Sequence, residues 1–159
     1  MQESPSAGSR PEATGAGPVG VVVVDHGSRR ADANRWHEEF VARLAEDGAH
    51  PIVEAAHMEL AEPSIATAFA ACVAAGASTV VFVPYFLWPG RHWTEDIPAL
   101  TAEAAKAHPG VRYLIAAPLG PHPALAGIVE ERIGHCLAHA SGEAAECEVC
   151  AGTGGCSFR

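Results

Sequence analysis

Two histidines stand in polar segments that each follow a strongly apolar run. His26 lies in VVVVDHGSRR and His92 lies in VPYFLWPGRHWTED. A neutral imidazole binds Fe, Co, Ni or Zn, and it can also accept a proton near pH 7. Together in one cleft, two such side chains could escort a metal ion while a second ligand loses protons. Taken singly, each histidine could equally be a turn or loop residue held by backbone or water.

Basic side chains flank both histidines in a chain whose net charge is −9. Arg29, Arg30 and Arg91 therefore make a local reversal of charge. Guanidinium groups bind carboxylates in a bidentate manner, which favours a substrate that carries carboxylates. Ser28 could donate to such a carboxylate or cap the next helix. The alternative is that these arginines are ordinary helix-start and loop residues.

Other polar residues lie at the ends of the apolar runs. Glu59, in HMELAEP, could accept a proton, bind the metal or cap the following helix. Asp25 could orient His26 or only cap the turn. Gly27 permits a close approach of the backbone to a ligand, and we expect a structural role for His57.

Aromatic and apolar residues around the second histidine could form flat walls for a macrocycle, or could belong to the core or an interface. These residues are Tyr85, Phe86, Leu87, Trp88 and Trp93.

The elements that must position these residues alternate between strand and helix. Strands are predicted at 19–24, 51–56, 79–84 and 111–116, from continuous apolar runs. Helices are predicted at 30–46, from Pro63 to Gly76, after RHWTED as far as His108, and over a last apolar stripe. In the third predicted helix, Ile97, Leu100 and Ala104 should face inward, and the last stripe comprises Leu125, Ile128, Val129, Ile133, Cys136 and Leu137.

This alternation predicts an α/β fold: a small open parallel four-stranded sheet with helices on both faces, flavodoxin-like in layout. If the strand order is 2-1-3-4, the switch point lies between the first and third strands, where ligands bind in such sheets. The loops that carry His26 and His92 follow those two strands, so the two side chains should share one cleft. Four strands are few, which favours a homodimer.

The composition bounds the function further. The 159 residues suffice for one domain, and 48% hydrophobic with 18% charged residues is a globular balance. The net charge of −9 argues against non-specific binding to nucleic acid or to anionic membranes. No apolar run approaches the roughly 20 residues of a membrane span.

The two ends of the chain differ from its middle. Residues 1–18 are rich in Ser, Gly, Pro and Ala and are predicted to be a flexible leader or the stub of a targeting sequence. Residues 19–141 form the predicted α/β domain, and residues 142–159 form a cysteine-rich tail. An odd count of five cysteines argues against a secreted disulfide framework.

The tail cysteines Cys147, Cys150 and Cys156 have the spacing C-x₂-C-x₅-C, which can bend around a soft metal. The segment CEVCAGTG also matches one unit of the zinc-binding repeats of DnaJ-type chaperones, which need paired units. A fourth ligand could come from Cys136 or from a second tail, although Cys136 could simply be packed. Cys72 is predicted to be a core residue. The tail could also be disordered, with free thiols.

Four motifs, in this order and spacing, carry a resemblance to a known family: DHGSR, MELAEPS, PYFLWPGRHWTEDIP and AAPLGPHP. They resemble the short class II tetrapyrrole chelatases, and especially the sirohydrochlorin ferrochelatases of plants and algae. The similarity runs from about Val19 to Cys156. It implies that each chain is a chelatase half-domain acting in a homodimer with a shared site.

The resemblance also implies a reaction, in which Fe²⁺ enters sirohydrochlorin, two protons leave and sirohaem forms. It implies that His26 and His92 bind the metal, that the arginines meet a substrate with eight carboxylates, and that the tail holds an iron–sulfur cluster. The implied location is the chloroplast stroma in a plant or alga, and otherwise the cytoplasm. A cobalt or nickel chelatase and a non-catalytic tetrapyrrole or metal carrier remain alternatives.

Overall fold

The computed structural model describes residues 17–46, 48–155 and 157–158. The predicted leader therefore lies outside the described residues except for Gly17 and Pro18, and so does Cys156. The chain divides into two compact units, residues 1–118 and residues 119–159. Among the described residues, no helix combines the length and apolar character that a membrane crossing needs.

The four apolar runs form one parallel sheet in the first unit. Its strands are β1 (Val19–Asp25), β2 (Ile52–His57), β3 (Thr79–Pro84) and β4 (Arg112–Ile115). Their order is β2-β1-β3-β4, and all three pairings are parallel. The predicted fold class and strand order are confirmed.

Helices cover both faces of this sheet. Helix α1 (Ala31–Glu46) lies on one face, and α2 (Ile65–Ala74) and α3 (Ile97–Ala105) lie on the other. Side chains of β1 alternate between these layers: Val21 and Val23 pack with Val41 of α1, while Val22 and Val24 belong to the larger core. The continuous valine run of β1 is therefore buried on both faces, as expected of a central parallel strand.

The helix after the third strand begins earlier than the sequence predicted. A π-helical segment, His92–Asp96, forms within RHWTED and leads directly into α3. The predicted inward face is partly wrong, because Leu100 is 42% exposed and Thr101 is buried in its place. Ile97 is fully buried as predicted, since it packs in the core beneath the sheet.

The core prediction for Cys72 is correct. Its side chain is fully buried on α2, and burial together with the charge of Glu54 raises the pKa of its thiol to about 12. This thiol is therefore a small apolar group at neutral pH rather than a reactive one.

The second unit contains α4 (Pro123–Ala140) and the cysteine-rich segment that follows it. The ring Nδ1 of His122 accepts a hydrogen bond from the backbone N–H of Ala124 and so caps the helix. The predicted apolar stripe lies along α4, but none of its side chains is buried.

Candidate functional site

The loop after β1 presents His26 in a tight turn. The backbone N–H of Gly27 donates to Oδ1 of Asp25 at 2.9 Å, and Nδ1 of His26 donates to the carbonyl of Gly27 at 3.1 Å. Gly27 has a φ of 83°, and a Cβ there would overlap the carbonyl oxygen of Glu59. The sequence predicted that Gly27 allows the backbone to approach a ligand closely. In the structure, the group that approaches Gly27 closely is the backbone carbonyl of Glu59.

Backbone hydrogen bonds extend the pairing of β1 and β2 beyond both strands. The N–H of Met58 donates to the carbonyl of Asp25 at 2.9 Å, and the N–H of Glu59 donates to that of His26 at 3.1 Å. This extension brings Oε1 of Glu59 to 3.0 Å from Nε2 of His26, and both side chains are about half-exposed. Leu60, with a φ of 69°, turns the chain away immediately afterwards.

His92 stands at the start of the π-helical segment. Its Nδ1 donates to Oδ2 of Asp96 at 2.8 Å, so the neutral ring keeps its lone pair on Nε2. Within residues 17–46, 48–155 and 157–158, no hydrogen bond reaches that Nε2. The indole N–H of Trp93 donates to the carbonyl of Ala116 at 3.0 Å and fastens the segment beside the end of β4.

The two loops meet at the switch point. The ring centroids of His26 and His92 lie 5.2 Å apart at an interplanar angle of 71°. A cleft of about 510 Å³ opens beside them; its lining residues are Met58, Glu59, Arg91, His92, Asp96, Ala99 and Leu100. The structure therefore brings together the two histidines and the carboxylate that the sequence singled out.

The three flanking arginines are placed differently from one another. Arg91 lines the cleft and lies 3.4 Å from Glu95 and 3.5 Å from Asp96. Arg30 forms a bidentate pair with Asp32, which raises the pKa of the guanidinium and lowers that of the carboxyl.

Arg29 is exposed and has no ion pair within the part of the chain that the structure describes. The positive charge available at the cleft is thus mainly that of Arg91.

Ser28 closes the turn that leads into α1. Its backbone N–H donates to Oδ1 of Asn34, and Nδ2 of Asn34 donates back to the carbonyl of Ser28, both at 2.8 Å. Its Oγ accepts the N–H of Arg30 at 3.1 Å. The backbone and the hydroxyl oxygen of Ser28 thus stabilise the turn that precedes α1, and Oγ bonds the N–H of Arg30 and not an N–H of the helix, which begins at Ala31.

The predicted apolar walls are divided between two places. Phe86 packs against the His92 ring, with centroids 5.8 Å apart, and Trp88 is 66% exposed. Tyr85 instead packs on Phe40 of α1, 5.0 Å between centroids. Only part of the aromatic segment therefore accompanies the histidine site.

Sequence reasoning missed two partners of the histidine loops, Asp96 and Asn34. The signal for Asp96 was its spacing four residues after His92, which suits a side-chain pair on a helix. Asp25 makes no contact with His26; its Oδ1 accepts from His57 at 2.6 Å and caps the turn through Gly27. The capping interpretation of Asp25 and the structural interpretation of His57 are the ones observed.

The tail cysteines form a second, separate candidate site. Cys147 and Cys150 share one turn, in which the N–H of Cys150 donates to the carbonyl of Cys147 at 3.1 Å. The backbone N–H groups of Cys150 and Val149 lower the pKa of the Cys147 thiol. Within the described residues, no three His, Cys, Asp or Glu side chains are grouped closely enough to hold a metal.

Fold and site together define a class of protein. It has an open parallel α/β sheet, with two imidazole groups and a carboxylate at the switch point, where such folds bind ligands.

The sequence model of the CbiX family matches residues 20–136, and the chain belongs to that family. It is 59% identical over 139 residues to the chloroplastic sirohydrochlorin ferrochelatase of Arabidopsis thaliana, covering 87% of this chain and 62% of that relative. The family suggested by the four motifs is therefore confirmed.

Two solved structures share the fold. SirB from Bacillus subtilis with Fe³⁺ matches at 31% identity with a TM-score of 0.69, over 72% of this chain and 46% of that one. SirB from Bacillus subtilis subspecies spizizenii in complex with cobalt matches at 32% identity with a TM-score of 0.70, over 74% and 50%. The present chain thus spans about half the length of each SirB chain and 62% of the plant relative.

Proposed function

We propose that this protein is a sirohydrochlorin ferrochelatase, a lyase that inserts Fe²⁺ into sirohydrochlorin with release of two protons to give sirohaem. The observation that carries this proposal is the approach of His26 and His92, with 5.2 Å between the rings, together with Glu59 at 3.0 Å from His26. The three side chains would act as two metal ligands and a proton acceptor, since they do not form a three-ligand metal site. The 59% identity to a plant enzyme of that name supports the choice of substrate and metal.

In this proposal His92 receives the Fe²⁺ ion through Nε2. The hydrogen bond from Nδ1 to Asp96 fixes the tautomer and the direction of the ring, as carboxylates commonly do for metal-binding histidines. The half-exposed ring can reach both the entering ion and the macrocycle. His26 is the second metal ligand, and its ring lies beside that of His92.

Glu59 is proposed to accept the pyrrole protons, because the Nδ1 of His26 donates to Gly27 and its Nε2 is the atom assigned to the metal. Oε1 of Glu59 lies 3.0 Å from Nε2 of His26, so the carboxylate stands beside the nitrogen that would bind the metal. Glu59 is 53% exposed, so a proton taken from the macrocycle can pass to water. Two protons leave as one Fe²⁺ enters, which keeps the charge balanced.

Arg91, Arg29, Arg30 and Ser28 are proposed to bind the carboxylates of sirohydrochlorin. Arg91 lies in the wall of the cleft, and Arg29 is exposed beside the His26 loop. Arg30 would exchange Asp32 for a substrate carboxylate, which is feasible because both side chains are solvent-exposed and surface ion pairs are weak.

The function is tested by anaerobic incubation of the protein with sirohydrochlorin and Fe²⁺, following the absorption change of the macrocycle. Insertion faster than in a protein-free mixture is the expected result. A rate equal to that of the protein-free mixture would contradict the proposal and favour a carrier role.

Cobalt insertion is the second candidate activity. The matched SirB structures carry Fe³⁺ in one case and cobalt in the other, and imidazole ligands discriminate weakly between these metals. The same assay with Co²⁺ measures this directly, and the ratio of kcat/KM values for the two ions decides which reaction is preferred.

The tail is proposed to bind an iron–sulfur cluster through Cys147, Cys150 and Cys156, with Cys136 or a second tail as the fourth ligand. The lowered pKa of Cys147 supports this, because the thiolate is the form that binds iron. The described residues supply two of these thiols in one turn. When bound, a cluster would supply electron transfer or redox sensing.

An absorption spectrum of the anaerobically purified protein tests the cluster. Visible absorption that disappears in a Cys147→Ser, Cys150→Ser double variant and persists in Cys72→Ala is expected. A colourless protein that contains zinc, or no metal, would contradict it.

We also propose a homodimer with a shared site, located in the chloroplast stroma. The short sheet and the name of the plant relative support these two proposals respectively. Light scattering on the purified protein measures the assembly, and imaging of a fluorescent fusion in plant cells measures the location.

A further inference from the structure

A fully buried histidine ties three elements together beneath the His26 loop. His57, at the end of β2, is 0% exposed. Its Nδ1 lies 2.6 Å from Oδ1 of Asp25 at the end of β1, and its Nε2 lies 3.4 Å from Oε1 of Glu38 on α1. Neither His57 nor its two partners lines the cleft.

Both carboxylates of this network reach solvent, to different extents. Glu38 is 46% exposed on its helix, whereas Asp25 is 23% exposed. A second buried histidine, His37, lies 5.5 Å from His57; its Nε2 donates to the carbonyl of Val23 at 3.1 Å, and its Nδ1 lies 3.9 Å from Oδ2 of Asp25. His57 is thus the member that joins β1, β2 and α1.

The network is linked to the histidine site through a single carboxylate oxygen. Oδ1 of Asp25 accepts from His57 and also from the backbone N–H of Gly27, at 2.9 Å. Asp25 and Gly27 are the two chain neighbours of His26, so this oxygen fixes the turn that holds that side chain.

The same network fixes the strand that carries Glu59. Asp25 and His57 are directly paired in the register of β1 and β2, and Glu59 follows His57 by two residues. The 3.0 Å contact between His26 and Glu59 depends on the two strand ends keeping this register.

We propose that Asp25, His57 and Glu38 are positioning residues for the metal-handling site. Their buried hydrogen bonds hold His26 and Glu59 at the separation that the reaction requires. This inference rests on the proposed function, because it assigns a role to residues that would not touch metal or substrate themselves.

The test compares variants by two measurements: Co²⁺ affinity without macrocycle, followed by visible absorption, and kcat with KM for insertion. Asp25→Ala removes both hydrogen bonds at Oδ1. Asp25→Asn retains an acceptor for Gly27 and for His57. The double variant Asp25→Ala, His57→Leu removes both members of the buried pair, so neither is left buried without the other, which favours folding; the backbone N–H of Gly27 loses its acceptor as it does in Asp25→Ala. Glu39→Gln, on the exposed side of α1, is the control.

Asp25→Ala and the double variant are expected to bind Co²⁺ about tenfold to a hundredfold more weakly and to lose kcat similarly, with KM unchanged. Asp25→Asn should recover most of the Co²⁺ affinity and most of kcat, and Glu39→Gln should match wild type in both. A folded double variant with wild-type affinity and kcat would overturn the inference.

Two further results are needed to separate failure of this inference from misfolding and from failure of the proposed function. If Asp25→Ala and the double variant both unfold, the test uses Glu38→Ala, because alanine is tolerated at an exposed helix position. An unchanged Co²⁺ affinity of Glu38→Ala would then overturn the inference. A wild-type protein that does not insert metal, and whose Co²⁺ affinity is unchanged by His26→Ala, would overturn the proposed function instead.

Discussion

The molecule contains two histidine pairs of nearly equal spacing at the same edge of one sheet. The rings of His26 and His92 lie 5.2 Å apart, and those of His37 and His57 lie 5.5 Å apart. The side chains of the first pair are 44% and 43% exposed, whereas those of the second are 4% and 0% exposed. The spacing of the rings alone therefore does not distinguish the exposed pair, which is proposed to handle the metal, from the buried one.

The partners of each pair explain the difference. His26 and His92 face carboxylates that reach into an open cleft, where a metal ion or proton can enter and leave. His37 faces a strand carbonyl, and His57 faces the carboxylates of Asp25 and Glu38, neither of which lines the cleft. Burial away from the cleft is what separates the second pair from the first, although Nδ1 of His37 has no hydrogen-bond partner among the described residues.

The largest effect is expected from replacing either exposed histidine. His26→Ala and His92→Ala should each reduce iron insertion to the rate of the protein-free mixture, because each removes one of the two proposed metal ligands. Both side chains are about half-exposed, so the fold should persist. The absorption assay measures the rate, and circular dichroism checks the fold.

His50→Ala is the matched control for these variants, since it removes an exposed histidine far along the chain from either loop. Activity retained in His26→Ala or in His92→Ala would remove that residue from the proposed site.

Asp96→Ala is expected to lower kcat about tenfold to a hundredfold, or about 1.4–2.7 kcal/mol, because the His92 ring loses the acceptor at 2.8 Å that sets its tautomer. Asp96→Asn should recover part of the loss through its amide oxygen. Glu95→Ala, which removes an exposed neighbour, should leave kcat near wild type; equal losses in both alanine variants would point to Arg91 and not to His92.

Gly27→Ala should destabilise the protein by about 2 kcal/mol, since it combines a positive φ with overlap on the carbonyl of Glu59. Urea unfolding measures this change. At Gly90, an added Cβ meets nothing within 4 Å, so Gly90→Ala should be close to neutral. A neutral Gly27→Ala would mean that the His26 loop can move away from Glu59.

The smallest effect is expected for His37→Gln. It disturbs one hydrogen bond, to the carbonyl of Val23, and should cost about 1 kcal/mol of stability while kcat stays unchanged. Thermal unfolding and the insertion assay separate the two quantities. A loss of kcat without loss of stability would place His37 with the exposed pair and break the contrast between the two pairs.

The sheet was the most predictable part of the protein. The strand predicted at 79–84 forms at Thr79–Pro84, and the valine run predicted at 19–24 extends by one residue, to Asp25. Buried β-branched runs specify parallel strands strongly, because few other structures cover both of their faces. The strand order then placed the two histidine loops together.

The start of α3 was less predictable. The π-helical segment at His92–Asp96 departs from the pattern of an α-helix, and Trp93 ties it to the carbonyl of Ala116, 23 positions away. Hydrophobic periodicity depends only on residues near one another in the sequence. It therefore does not reveal a hydrogen bond to the end of a distant strand, such as that of Trp93.

By itself the sequence determined the order of the elements, the parallel sheet and the edge at which His26 and His92 would meet, because hydrophobic runs and right-handed crossovers leave few arrangements. Only the tertiary structure decided which histidines are open to the cleft and which are buried. The reason is that Asp25 and His57, 32 positions apart, become partners only when β1 and β2 pair in register. The same strand pairing places Glu59 beside His26 and Asp25 beside His57.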